Sequence, residues 1–322
     1  MGKFVPKPGL LSIGVAAHGN VETTAECLEC LLDSVGGDFE LLLIDDQSPD
    51  DMLSLYHEAA GLHPHTRIYH FPENLEYTQS VNCLLNEAGG ERVLFVSNDI
   101  LISPEYVVGL LEAMIDPHVG IARGVSNFVD NGLSTHNIAL ESAIENRGQM
   151  YDLARKIYGE GSPLLLDDPF LVGDAFMVSR ALLDVVGGFD IRYHGYFSDI
   201  DYGLRAIGAG FRRVLSRKSF AWHGKRANFD YLDANVADQK LAHRRQRVQS
   251  AWQVFRETWE LDQLPVNWPG MDALPLVELD QRARNQGIRP AQHLAYDRYL
   301  IDAGLMDSPA HGSQPRNPME QA

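Results

Sequence analysis

An α/β fold, with a mostly parallel central sheet flanked by helices, is predicted for this chain. Two observations predict it. Short apolar runs alternate with amphipathic helical patterns through the first third of the sequence, and three of those runs end in polar side chains. "LLSIGVAA" reads as a buried first strand, and the helix after it places Leu28, Leu31, Leu32 and Val35 on one face. Thr23 and Glu26 have capping-box spacing at its start. "FELLLIDD" and "TRIYHF" are the second and third strands, separated by a polar turn and a short helix. Val81, Leu84, Leu85 and Ala88 mark a helix from about Thr78. "ERVLFVSND" is the fourth strand, and Ser103-Pro104 opens the next helix as N-cap and first-turn proline.

Residues 125–170 read as a loop-rich excursion. A strand over Leu171 to Ser179, a short helix ended by glycine, and one or two strands in "FRRVLSRKSFAWHGK" follow. The remainder is helical and then proline-broken, with Trp252, Phe255 and Trp259 expected to pack inward. The division expected is an α/β domain over residues 1–225, a mainly helical extension over 226–306, and a disordered tail over 307–322. No internal repeat is present.

Composition excludes several classes. A formal charge of −17 over 322 residues argues against nucleic acid as a partner. Basic clusters at Arg212, Arg213, Arg217, Lys218, Lys225 and Arg226, and at Lys240, Arg244, Arg245 and Arg247, are local exceptions. No apolar run reaches the roughly 20 residues of a membrane span, and the apolar stretch near the N-terminus reads as a strand, not a signal peptide. Cys27 and Cys30 form a C-x-x-C without a second pair and fit helix packing. A cytoplasmic protein, with peripheral contact at the inner membrane face left open for the basic C-terminal helix, is the expectation. Neither a P-loop, a G-x-G-x-x-G after the first strand, nor a G-x-S-x-G elbow occurs.

Parallel sheets bind ligands at the carboxyl ends of their strands. Those ends carry Ala17-His18, Asp45-Asp46 and Ser97-Asn98-Asp99. Further on, "GGFDIRYHGYFSDIDYGLRAIGAGF" sets Asp199 and Asp201 one residue apart, ahead of Arg205. Two carboxylates so close repel unless a proton, a cation or a helix N-terminus makes use of them.

With these segments in order, the chain resembles inverting glycosyltransferases of the GT-A type, in the large family 2 that includes bacterial rhamnosyltransferases and polysaccharide-building enzymes. "SIGVAAHGN" stands where the family reads like "SIVIVTYNR", and "IDDQSPD" where it reads "VDDGSTD". Asn74 and Asn82 fit N-x-G-x(5)-N, "FVSND" fits the strand ending in the metal-binding acids, and Gly187 to Arg205 runs in register with "GGFDExFFxYxEDxDLxxR". His223 corresponds to a family histidine after the next strand. The match covers roughly residues 10 to 225. Departures are Leu75 for the usual glycine, Ile191 and Ser198 for glutamates, and Ser97-Asn98-Asp99 for D-x-D.

The resemblance implies a nucleotide-binding, Rossmann-like GT-A fold with a C-terminal helical extension, and an inverting, metal-dependent glycosyltransferase. It would move a sugar from a nucleotide-diphosphate donor, a UDP-sugar in first place, to a hydroxyl of a glycan or lipid-linked acceptor. Mn²⁺ or Mg²⁺ would be held by Asp99 and His223. On residues alone Asp99 reads as a helix-capping aspartate near Ser103 and His223 as a packed histidine. An acid of the Asp45-Asp46 pair would accept from the base, with an Asx turn to Ser48 as the structural counterpart. Ala17, His18, Asn74, Asn98, Gly188 and Asp174 would line the donor, with Asp190 a further sugar contact. Lys225 and Arg226 are either diphosphate-neutralising or solvated. Asp199 would be the general base, or else a helix cap, while Asp201 and Arg205 pair at i,i+4 and position the loop. A non-catalytic nucleotide-sugar or glycan-binding protein on the same fold is the alternative. A nucleotidyltransferase is disfavoured because "AAHGNVETT" lacks its glycine-rich basic loop. A homo-oligomer is left open.

Overall fold

A computed structural model describes residues 7–129, 134–138, 140, 144–162, 165–224, 234–292 and 300–301. The strands and helices follow in chain order: β1 (Lys7–Ala17), α1 (Val21–Ser34), β2 (Phe39–Asp45), α2 (Met52–Leu62), β3 (Thr66–His70), α3 (Glu76–Glu87), β4 (Gly90–Ser97), β5 (Ile100–Leu101), α4 (Pro104–Ala113) and β6 (Val119–Ser126). Then come α5 (Arg147–Glu160), β7 (Leu166–Asp167), β8 (Ala175–Ser179), α6 (Arg180–Val186), α7 (Ser198–Gly208), β9 (Arg212–His223), α8 (Ala234–Thr258), α9 (Leu276–Gln286) and β10 (Leu300–Ile301).

One sheet runs in the order β10-β3-β2-β1-β4-β8-β6-β9-β5, with β7 on β9. Strands β3, β2, β1 and β4 are mutually parallel, as are β6 and β9. Strand β8 lies antiparallel between β4 and β6. Thus the carboxyl ends of β1, β2, β4, β6 and β9 share an edge with the start of β8. That edge carries the polar residues.

Apolar side chains cover both faces. Leu28, Leu31, Met52, Tyr56, Leu110 and Met150 pack on one face, and Val81, Leu84, Leu85, Leu182 and Tyr202 on the other. A third cluster joins Phe197, Ile200 and Leu204 at α7 to Trp252, Phe255 and Trp259 of the C-terminal region, whose aromatic rings are fully buried. Cys27 and Cys30 are buried free thiols on α1.

Two local expectations change. Helix α1 begins at Val21 after Asn20 (φ 65°), so Thr23 lies inside it and no Thr23–Glu26 capping box forms. Asp50 Oδ2 accepts the Val21 N–H at 3.1 Å instead. The excursion over 125–170 contains the fourteen-residue α5, capped by Asn146, whose side chain accepts from Gln149 N–H. Of the one or two strands expected in "FRRVLSRKSFAWHGK", one forms, β9, and its ladder with β6 carries two register shifts. Ser103 caps α4 as expected, accepting from Tyr106 N–H. The expected tail over 307–322 lies outside the described residues, as do Lys225 and Arg226.

Candidate active site

The polar residues that follow β1 and β2 form one hydrogen-bonded layer with Asn74 and His70. Asp45 is saturated: Oδ1 accepts the Ser48 N–H at 2.8 Å, and Oδ2 meets His70 Nδ1 at 2.7 Å. The Asx turn therefore belongs to Asp45. Asp46 Oδ1 accepts the Leu75 N–H at 2.6 Å, and its backbone N–H donates to the Ala17 carbonyl at 2.8 Å. Burial pushes the Asp46 carboxyl up to about 6, against the pull of the Leu75 N–H and His18. His18 Nδ1 donates to the Asp46 carbonyl at 2.7 Å, which leaves Nε2 to accept from Asn74 Nδ2 at 3.2 Å. Asn74 Oδ1 in turn accepts the Glu76 N–H at 2.9 Å.

Left-handed backbone recurs around this layer, at Gln47 (φ 55°), Glu76 (φ 69°), His194 (φ 49°) and Phe197 (φ 65°). Non-glycine residues hold such conformations at a cost of about 1–3 kcal/mol each, and they cluster at functional sites. Leu75 itself is right-handed at φ −95°. Glu76, not Leu75, is therefore the residue whose conformation suits glycine.

Asn98 closes the loop after β1, donating from Nδ2 to the Gly19 carbonyl at 3.2 Å and to Thr24 Oγ1 at 2.9 Å. Asp99 and His223 come together across 124 residues of chain, with Oδ2 and Nε2 3.2 Å apart. They do so because β5 pairs with the end of β9, Ile100 opposite His223. The imidazole is fixed from behind. Its Nδ1 lies 3.2 Å from the Phe128 carbonyl, and Asn127 bonds its backbone N–H at 2.7 Å and its carbonyl at 3.0 Å. A carbonyl can only accept, so Nδ1 carries hydrogen and Nε2 faces the carboxylate. Two lone-pair atoms at that distance require a positive charge between them, a proton or a metal ion. Burial opposes protonation, but the Asp99 hydrogen bond and charge, with Asp174 adding, outweigh it and raise His223 above the usual imidazole range. Both side chains keep solvent access, 31% for Asp99 and 16% for His223. One carboxylate and one oriented imidazole fit a divalent cation that would take its remaining ligands from outside the protein. A cavity of about 1140 Å³ opens beside Asp99, between α1 and α5, lined by Asn20, Glu22, Arg147, Trp222 and Gly224.

Asp199 and Asp201 divide their roles by facing opposite ways. Asp199 stands in the first turn of α7, after the N-cap Phe197, so it is not itself the cap. Its Oδ1 accepts the Ile200 N–H and its Oδ2 the Gly173 N–H, both at 2.9 Å. Burial pushes the carboxyl up to about 6, the backbone N–H groups pull it down, and Asp174 pushes it up again. Tyr77 completes the support: its hydroxyl donates to the Gly173 carbonyl at 2.7 Å, and a Cβ on Gly173 would collide with the Tyr77 hydroxyl.

Asp201 points into the protein. Its Oδ2 meets Arg205 Nε at 2.7 Å, with the two side chains only 3% and 4% exposed. Oδ1 accepts from Trp259 Nε1 at 3.1 Å and from the Tyr193 hydroxyl at 3.2 Å. Arg205 spends its remaining donors on the carbonyls of Val186 and Gly188. Gly188 therefore anchors the loop ahead of Asp199. Asp190 is closed by Arg192 at 2.7 Å.

Asp174 lies between the two chemical groups. Its carbonyl accepts the Ser97 N–H at the end of β4, and its charge acts on both His223 and Asp199. Much of the first basic cluster is already used: Arg212 pairs with Asp167, Arg213 with Asp280 and Lys218 with Glu112. Sequence reasoning missed Tyr77, Gly173, Gln47 and His70. Each acts through a partner more than twenty residues away, so no local pattern marks it.

Residues 12–187 match the family model described as Glycosyl transferase family 2. The chain belongs to this family. Over 212 residues it is 30% identical to the uncharacterized protein MT1568 of Mycobacterium tuberculosis (strain CDC 1551 / Oshkosh), covering 63% of each chain. The chain thus spans less than two thirds of that relative's length. In fold it is similar to the mannosyltransferase PcManGT from Pyrobaculum calidifontis, solved with GDP-Man and Mn²⁺ (TM-score 0.53, 15% identity, 88% of this chain and 72% of that one). It is similar also to GalNAc-T7, solved with UDP, GalNAc and Mn²⁺ (TM-score 0.56, 12% identity, 87% and 55%). These likenesses, with the α/β order above, establish the GT-A fold.

Proposed function

We propose that this family 2 member is an inverting, metal-dependent glycosyltransferase that moves a sugar from a nucleotide-diphosphate donor to an acceptor hydroxyl. The observation that carries the reading is the Asp99–His223 pair, locked by the Phe128 carbonyl and separated by Asp174 from a half-buried carboxylate at Asp199. A divalent ion, when bound, neutralises the diphosphate charge that grows as the leaving group departs. Asp46, His18 and Asn74 hold the base and ribose side. Asp199 takes the proton of the acceptor hydroxyl as its oxygen bonds to the anomeric carbon from the face opposite the diphosphate. A UDP-sugar is the proposed donor, and a glycan or lipid-linked alcohol the acceptor. Among the described residues no helix is long and apolar enough to cross a membrane. The proposed setting is cytoplasmic, in polysaccharide synthesis, with α8 and α9 packed as an extension on α7.

Two outcomes check the roles. Asp99→Ala and His223→Ala should each weaken Mn²⁺-dependent UDP binding by about tenfold or more, by isothermal titration, while binding without metal stays at the wild-type level. The acid limb of the rate should fall about tenfold per pH unit below about 6, since Asp199 must be a carboxylate to accept the proton. A limb that survives unchanged in an active Asp199 variant would remove that assignment. The reading as a whole is tested by nucleoside diphosphate release from a panel of UDP-, GDP- and dTDP-sugars with and without Mn²⁺. Metal-dependent binding without turnover would favour a nucleotide-sugar-binding protein on the same fold.

A further inference from the structure

Behind Asp174 lies a buried ion pair. Arg123, on β6, is 2% exposed. Its Nη2 stands 3.1 Å from Asp174 Oδ1 and 3.3 Å from Oδ2, and its Nε donates to the Gly124 carbonyl at 3.0 Å. Its Nη1 is buried without a hydrogen-bond partner. Burying both members of an ion pair is costly, and apolar residues of matching volume often stabilise an interior as well or better. Stability alone is a poor reason for such a pair in the middle of a sheet.

Its place in the fold supplies another. Arg123 pairs with Phe176 across the β6–β8 ladder, and its guanidinium reaches Asp174, the residue just before β8. The exposed part of the pair belongs to Asp174, at 11% against 2% for Arg123. Asp174 Oδ1 also accepts the Ala175 N–H at 2.7 Å, which fixes the carboxylate at a second point. The groups facing Asp199 are the Gly173 and Ile200 N–H donors, the Tyr77 hydroxyl from α3, and Asp174. Of these, Asp174 brings the charge.

We propose that Arg123 is a positioning residue for sugar transfer. It anchors Asp174 from behind, so that this carboxylate can receive donor-sugar hydroxyls between the metal pair and Asp199 while its charge is kept off the base. The inference rests on the sugar-transfer reading of Asp99, His223 and Asp199.

Four variants test it: Arg123→Met, Arg123→Lys, Asp174→Asn, and the double variant Arg123→Met with Asp174→Asn. Nucleoside diphosphate release from the most active donor of the UDP-, GDP- and dTDP-sugar panel is followed against pH, with melting temperatures alongside. Arg123→Met should lower kcat about tenfold or more and move the acid limb up by about one pH unit. Asp174→Asn should move the limb down, while Arg123→Lys and the double variant should return it close to the wild-type position. A folded Arg123→Met that loses melting temperature but keeps the limb in place overturns the proposal. If Arg123→Met does not fold, an unmoved limb in Asp174→Asn overturns it equally. Wild-type protein inert toward the whole panel defeats the sugar-transfer reading, and this inference with it.

Discussion

Asp199→Asn is expected to lower sugar transfer by a factor on the order of a hundred to ten thousand, the contribution of a positioned general base. The amide fills the same volume, and its carbonyl oxygen can still accept from the Gly173 or Ile200 N–H, which both bond the wild-type carboxylate at 2.9 Å. The first turn of α7 should therefore stay intact, and Mn²⁺-dependent UDP binding should remain within a few-fold of wild type. What is lost is a proton acceptor that burial and Asp174 hold near 6. That value suits the task, because the group is ionised at neutral pH yet more basic than an ordinary carboxylate. Steady-state kinetics beside calorimetric binding check both halves. Wild-type turnover in the variant would return Asp199 to a structural role.

Asp201→Ala is expected to destabilise the fold by about 3–5 kcal/mol. It leaves the Arg205 guanidinium without its carboxylate in a site where both partners are almost fully enclosed. It also strips the Trp259 indole N–H and the Tyr193 hydroxyl of their acceptor. One residue thus fastens three pieces: α7, the loop through Tyr193 and Gly188, and the end of the C-terminal helix α8. Urea unfolding of Asp201→Ala should show the loss as a lower midpoint. Activity should fall in parallel with folded fraction, unlike Asp199→Asn, where folding and turnover separate. A midpoint within error of the wild type would contradict the description of this contact.

The contrast between these neighbouring aspartates shows what the sequence could convey. Their spacing, followed by Arg205 four residues after Asp201, already marked an ion pair, while the separate role expected for Asp199 came from the family resemblance. Helical geometry then turns the two side chains apart. The strand ends at Asp45-Asp46 and Asp99 were legible for a related reason: a buried apolar run that stops in polar residues marks the ligand-binding edge of a parallel sheet. Helix α5 was not legible, because of its fourteen residues only Met150 and Ala154 are fully buried, too narrow a stripe to give a helical period. The capping box failed for another reason. Thr24 donates its hydroxyl to the Asn20 carbonyl at 2.9 Å, while an aspartate from the loop after β2 meets the first N–H of α1. The nearness of His223 to Asp99, and of Tyr77 to Gly173, depends on strand pairing and helix docking. No local pattern encodes those distances, and for His223 only the family resemblance pointed the way.

The most direct measurement is the anomalous diffraction of Mn²⁺ in crystals grown with UDP. A single strong site bonded to Asp99 Oδ2 and His223 Nε2, with the diphosphate on its open side, is the predicted result. A site elsewhere, or a nucleotide bound with Asp99 and His223 still in contact with each other and no ion between them, would contradict it.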